Sequence, residues 1–100
     1  GVPQAAAESK QASGPMNCSQ FGGQPFQPCS FTVTRKGGGT AQVIVAFPDG
    51  SKRSIDFTNG NAVKADTAGE IKQERWHDLN TVYVGDNERF EIPDAILFGG

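Results

Sequence analysis

The stretch from Thr40 to Asn61, TAQVIVAFPDGSKRSIDFTNGN, constrains this chain more than any other. Val43, Val45 and Phe47 alternate with Ile44 and Ala46, a period of two that belongs to extended backbone. Both sides of that strand are apolar, which places it in the middle of a sheet and away from an edge. FPDGSK then supplies a corner: Pro48 presets φ, Asp49 suits the second position and Gly50 takes the left-handed conformation. The return strand puts Arg53, Ile55 and Phe57 on one face. Asn59-Gly60 follows, the strongest short hairpin signal a sequence offers.

A weak internal repeat extends this pattern. A shift of about 37 positions lays VAFPDGSKRSI over VYVGDNERFEI, matching Val45 to Val82, Phe47 to Val84, Asp49 to Asp86, Gly50 to Asn87, Lys52 to Arg89 and Ile55 to Ile92. Two related hairpins are expected, with Asn87 standing in for Gly50 at the left-handed position. KGGGT, residues 36–40, lacks the ending and following helix of a phosphate-binding loop and reads as a loop or bulge between strands. In IPDAILFGG, Pro93 ends a strand and residues 96–98 are expected to form a last edge strand that closes the sheet. The expected fold is all-β: a small antiparallel barrel or two-layer sandwich of about seven short strands in a meander. An irregular, disulfide-stapled segment precedes it.

At 100 residues the chain is one domain that buries only about 60 to 70 per cent of its unfolded surface, so a covalent staple helps. Cys18 and Cys29 stand close together in CSQFGGQPFQPCS and read as a disulfide that stabilises the fold by about 3 kcal/mol. That pairing favours a periplasmic or secreted protein; two free buried thiols in the cytosol are the competing reading. With one His in the chain, a structural zinc site would need carboxylates, and no metal or cofactor is expected. Residues 1–17 contain only Val2 and Met16 as larger apolar side chains and are expected to be a flexible tether ahead of a single β domain over 18–100. The start Gly1-Val2-Pro3 lacks Met and reads as a processed end, with Gly1 left from a cleaved tag and any export signal already removed. A net charge of −2, without a basic stripe, argues against nucleic acid. No apolar run reaches the roughly 18 residues of a membrane-spanning helix.

GGGTAQVIVAFPDGSKRSIDFTNG, then ADTAGEI, and the ending VGDNERFEIPDAILFGG resemble a set of small exported β-rich proteins of Gram-negative bacteria, described as hypothetical proteins or hypothetical lipoproteins, that share an ER(Y/F)EIPDA…GG-like ending. The resemblance spans roughly residues 18 to 100. It implies export and a β fold and carries no activity. GPMN before Cys18 departs from a lipobox, which argues against lipid attachment at that cysteine.

Trp76-His77-Asp78 holds the only Trp and the only His. A catalytic reading makes His77 a base oriented by Asp78, but neighbours on a strand point to opposite faces and a nucleophile is also required. HDLN has turn composition, in which Asp78 and Asn80 bond their own backbone. Trp76 reads as a core or rim residue covering one barrel end. Asp49 and Asp86 sit at equivalent solvated turns, a poor setting for a general acid, and GDNE and FPDG offer too few oxygens for calcium. Lys52, Arg53, Arg75 and Arg89 read as a solvated face paired with Asp56, Glu74, Glu88 and Glu91. The expected function is therefore non-catalytic binding to a protein or other component of the bacterial envelope. Trp76, Tyr83, Arg75 and Arg89 are the candidate contacts, since aromatic and Arg residues dominate hot spots. The alternatives are an inhibitor of a lysozyme or protease that uses the CSQFGGQPFQPC loop, and a small enzyme that uses His77.

Overall fold

The computed structural model describes residues 11–99. Its elements are β1 (Gln11–Ser19), β2 (Gln27–Gly37), β3 (Thr40–Ala46), β4 (Lys52–Thr58), β5 (Asn61–Ala65), β6 (Ile71–Trp76), β7 (Leu79–Val84), β8 (Glu88–Pro93) and a short helix α1 (Asp94–Phe98). The strands form one antiparallel sheet in the order β5-β4-β3-β2-β1-β8-β7-β6. It curls into a nearly closed barrel, so the expected all-β fold holds with eight strands in place of about seven.

The two predicted hairpins share one register. Ala46 faces Lys52 and Val43 faces Ile55; in the second hairpin Tyr83 faces Arg89 and Asn80 faces Ile92, each partner displaced by the repeat. Gly50 takes φ 90° as expected, but in the second copy the left-handed residue is Gly85, φ 64°, and not Asn87. A glycine one residue after the strand absorbs the reversal, which frees the Asn87 side chain to accept a hydrogen bond from the Gly22 N–H at 3.2 Å. Asn59 and Gly60 both have positive φ, 53° and 81°, the pairing a two-residue type I′ corner demands.

Alternation fills the interior. Val33, Val43, Val45, Ile55, Val82, Phe90 and Ile92 are fully buried, with Phe47 tilted against Phe90 at 5.8 Å between ring centres. Side chains rather than a ligand cavity thus occupy the centre, as in other small barrels.

The N-terminal expectation needs correction. Residues 11–17, read as tether, belong to β1, which pairs with β2 from Gln11↔Thr34 to Cys18↔Gln27; residues 1–10 of that tether lie outside the described residues. Both cysteines lie on these strands, diagonal to one another at a Cα separation of 5.9 Å, so only residues 20–26 of the stapled segment are irregular. Met16 and Cys18 point inward, and backbone pairing plus the bridge order a strand whose sequence has little apolar alternation. Pro15 is tolerated because β8 pairs with β1 only over Asn17 to Ser19, which leaves that part of β1 with a neighbour on one side.

Residues 96–98 are not an edge strand. They complete α1, whose Ile96 and Leu97 are buried at one barrel end while Gly99, φ 89°, stops the helix. Arg35 projects inward at that end, and its guanidinium donates to the carbonyl of Ile96 at 2.8 Å and to that of Ala95 at 3.3 Å, the latter also accepting from the Gly99 N–H at 2.9 Å. The β5 and β6 edges face one another without a ladder. Gln73 bridges them: its carboxamide accepts from the Ala62 N–H at 2.7 Å and donates to the Gly60 carbonyl at 3.0 Å.

Candidate interaction face

The candidate contacts do not converge. Arg75 and Trp76 lie at the barrel end that carries α1, whereas Tyr83 and Arg89, direct neighbours across β7 and β8, lie toward the other. Both arginines serve the fold. Arg75 forms a fork with Asp94, with one hydrogen bond at 2.8 Å, and also donates to Asn80 Oδ1 at 3.1 Å. Asn80 is wholly buried and fully satisfied, since its amide donates to the Ile92 carbonyl and to Asp94 Oδ1 and its oxygen also accepts from Gln73. It is a strand residue at the hub of a polar network and not part of the turn expected for it. The Arg75 guanidinium, followed by Asn80, holds the Asp94 carboxyl below its ordinary range.

Arg89 ties down the loop 20–26. Its guanidinium donates to Ser19 Oγ and the Gln24 carbonyl and lies 4.6 Å above the centre of the Phe26 ring. The Gln24 carboxamide accepts from the Gln20 and Phe21 N–H groups, and the disulfide closes the base. The loop is thereby fixed while its Phe21 side chain stays 57% exposed. Arg53 departs from the solvated face expected for it. It points inward at this same end, where it makes a two-pronged pair with Glu88 at 2.7 and 2.8 Å and a third bond to Asp66 at 2.8 Å. The Arg53 hydrogen bond lowers the pKa of Asp66.

Trp76 is 75% exposed and does not cover the barrel end. Strand parity explains this: Ile71, Gln73 and Arg75 of β6 face inward, so Trp76 faces out. His77 occupies the two-residue corner after it with φ 57°, and its ring meets the indole edge-on at 4.7 Å. Asp78 completes the corner, and its carbonyl accepts from the Asp94 N–H at 2.7 Å.

On the outer face Leu79 stands opposite both Trp76 and Pro93. Beyond Pro93 the sheet splays between β8 and β1, and a groove of about 340 Å³ opens there, lined by Pro15, Asn17, Pro28, Leu79, Glu91 and Pro93. From sequence alone Pro93 is only a strand end, and Pro15 and Pro28 are not singled out. The available signal was their position within or beside strand-forming stretches, where proline marks an incomplete ladder. Near the far end of this face Tyr83 donates to Glu74 Oε1 at 3.0 Å, and that bond raises the phenol's pKa.

Comparison with known proteins finds no family model, no curated relative and no solved structure that matches the chain.

Proposed function

We propose that this domain is a non-catalytic binding module of the bacterial envelope that grips its partner with the outer face around Trp76. The observation that carries the reading is an indole 75% exposed on a two-residue hairpin corner, beside a groove walled by Pro15, Pro28 and Pro93. A large aromatic displayed on rigid backbone loses little conformational entropy on binding, which is why Trp dominates hot spots. The side-chain-filled interior favours recognition from outside the barrel. The disulfide suits an oxidising compartment. His77 at an exposed corner, its ring edge-on to Trp76, supports a role in shaping that corner and none in catalysis.

The test is a photo-crosslinking amino acid placed at position 76, and at Thr32 on a different part of the outer surface, in protein incubated with envelope fractions. A discrete adduct from position 76 alone is expected, together with an unchanged Tm for Trp76→Ala. Equal labelling from both positions, or a Tm that collapses, would overturn the reading.

A second reading, inhibition of a lysozyme or protease through loop 20–26, draws on how firmly the loop is held with Phe21 outward. The Phe21 carbonyl already accepts from Gln24 N at 3.1 Å and Ser19 Oγ at 3.2 Å, a turned conformation that favours a plug over a substrate-like extended strand. Assay against a hydrolase panel with wild type and Phe21→Ala decides it; no inhibition by wild type removes the idea.

A further inference from the structure

We infer that the partner seen by the Trp76 face is an extended, cationic polypeptide segment of about six residues that crosses the strands; the inference rests on the binding reading above. Pro28, Pro15, Pro93, Leu79 and Trp76 form a row on the outside of β2, β1, β8, β7 and β6, joined by the groove and by the Trp76–Leu79–Pro93 register. Four strand steps, three of roughly 4.8 Å and a wider one at the β8–β1 splay, make the row about 20 Å long. A polyproline-type segment advances about 3.1 Å per residue, so six residues span it without the regular ladder that a barrel's outer face cannot offer. Such a segment brings its own preformed shape, and prolines and an indole are the surface against which it packs.

Charge selects the segment further. Glu74 lies two residues before Trp76 on the same side of β6, Asp78 is at the corner, and Glu91 lines the groove. The donors on two of these carboxylates are neutral: Tyr83 Oη on Glu74 and Asn17 Nδ2 on Glu91, both at 3.0 Å. Among the described cations, Arg75 is engaged by Asp94, while Lys72 and Arg89, on the outer sides of β6 and β8, stand four residues from Trp76 and Pro93 and so away from the row. The face therefore presents negative charge beside an indole whose π surface attracts a Lys or Arg side chain. A neutral or acidic segment meets the same apolar row without that attraction.

Because Trp76 is the only Trp, its fluorescence reports this face alone. The full chain is titrated with three six-residue peptides of alternating Pro and Arg, Pro and Gln, or Pro and Glu, with isothermal calorimetry in parallel. The Arg peptide is expected to shift Trp76 emission saturably and to bind about three- to tenfold more weakly to an Asp78→Asn, Glu91→Gln variant of unchanged Tm. Its affinity also falls as salt rises. If the Gln peptide binds as tightly as the Arg peptide, the cationic assignment is wrong and the face survives as a binding site. If no peptide gives saturable heat or emission change, the face itself fails.

Discussion

Asn80 is where a single side chain carries the most. Its carboxamide uses every donor and acceptor in a wholly buried position, so Asn80→Ala strands the Ile92 carbonyl and part of the Asp94 carboxylate. The expected cost is about 2 kcal/mol by urea unfolding. Asp94 and Asp66, both with lowered pKa, set the acid limit. A carboxyl whose folded pKa lies below its unfolded value contributes stability above the unfolded value, about 3.9, and loses it as pH falls through the folded one. Stability should therefore drop below about pH 4, and Asp94→Asn should flatten that drop while lowering stability at neutral pH; Tm against pH measures both. At this scale the corner at His77 was legible, because HDLN has few alternatives to reversing the chain. The exposure of Trp76 was not, since it depends on which parity of β6 faces inward. EIKQERW has polar residues at both parities.

Hairpins are legible element by element, and the two Asp-Gly-like corners fixed register through local backbone demands alone. β1 was not, because its order comes from β2 and the Cys18–Cys29 bridge, contacts that no local pattern announces. Replacing both cysteines with Ala is expected to cost about 3 kcal/mol in chemical denaturation, since the bridge closes a loop of 11 residues' separation. Helix α1 defeats a period-two reading for another reason: after Pro93 only five residues remain in it, too few for any period. Its Phe98 packs so closely on the β2–β3 corner that a Cβ at Gly39 would stand 2.5 Å from the ring, at a residue with φ 82°. Gly39→Ala is therefore expected to destabilise by more than about 1 kcal/mol. Added Phe98→Ala should recover only the part due to the ring, leaving the backbone strain and the 2.7 Å approach to the Gly60 nitrogen, a separation that a double-mutant cycle reads directly.

The whole molecule is a barrel with two imperfect joins, β1–β8 over three residue pairs and β5–β6 through one glutamine. Neither join could be read from the sequence, because each unites segments far apart or facing edges without a ladder. Gln73→Ala should speed hydrogen exchange at the Ala62 amide ahead of the β3 and β7 amides. The splay at the first join is what opens the proline-walled groove, so the candidate surface is a consequence of barrel geometry as much as of its residues. The proposed recognition lies outside the wall, and it requires the indole to stand in solvent. Acrylamide quenching of the native protein measures that most directly. Trp76 should quench nearly as fast as a free tryptophan amide, with an emission maximum close to that of the unfolded chain. A blue-shifted emission shielded from acrylamide would put the indole inside the barrel end and contradict the account.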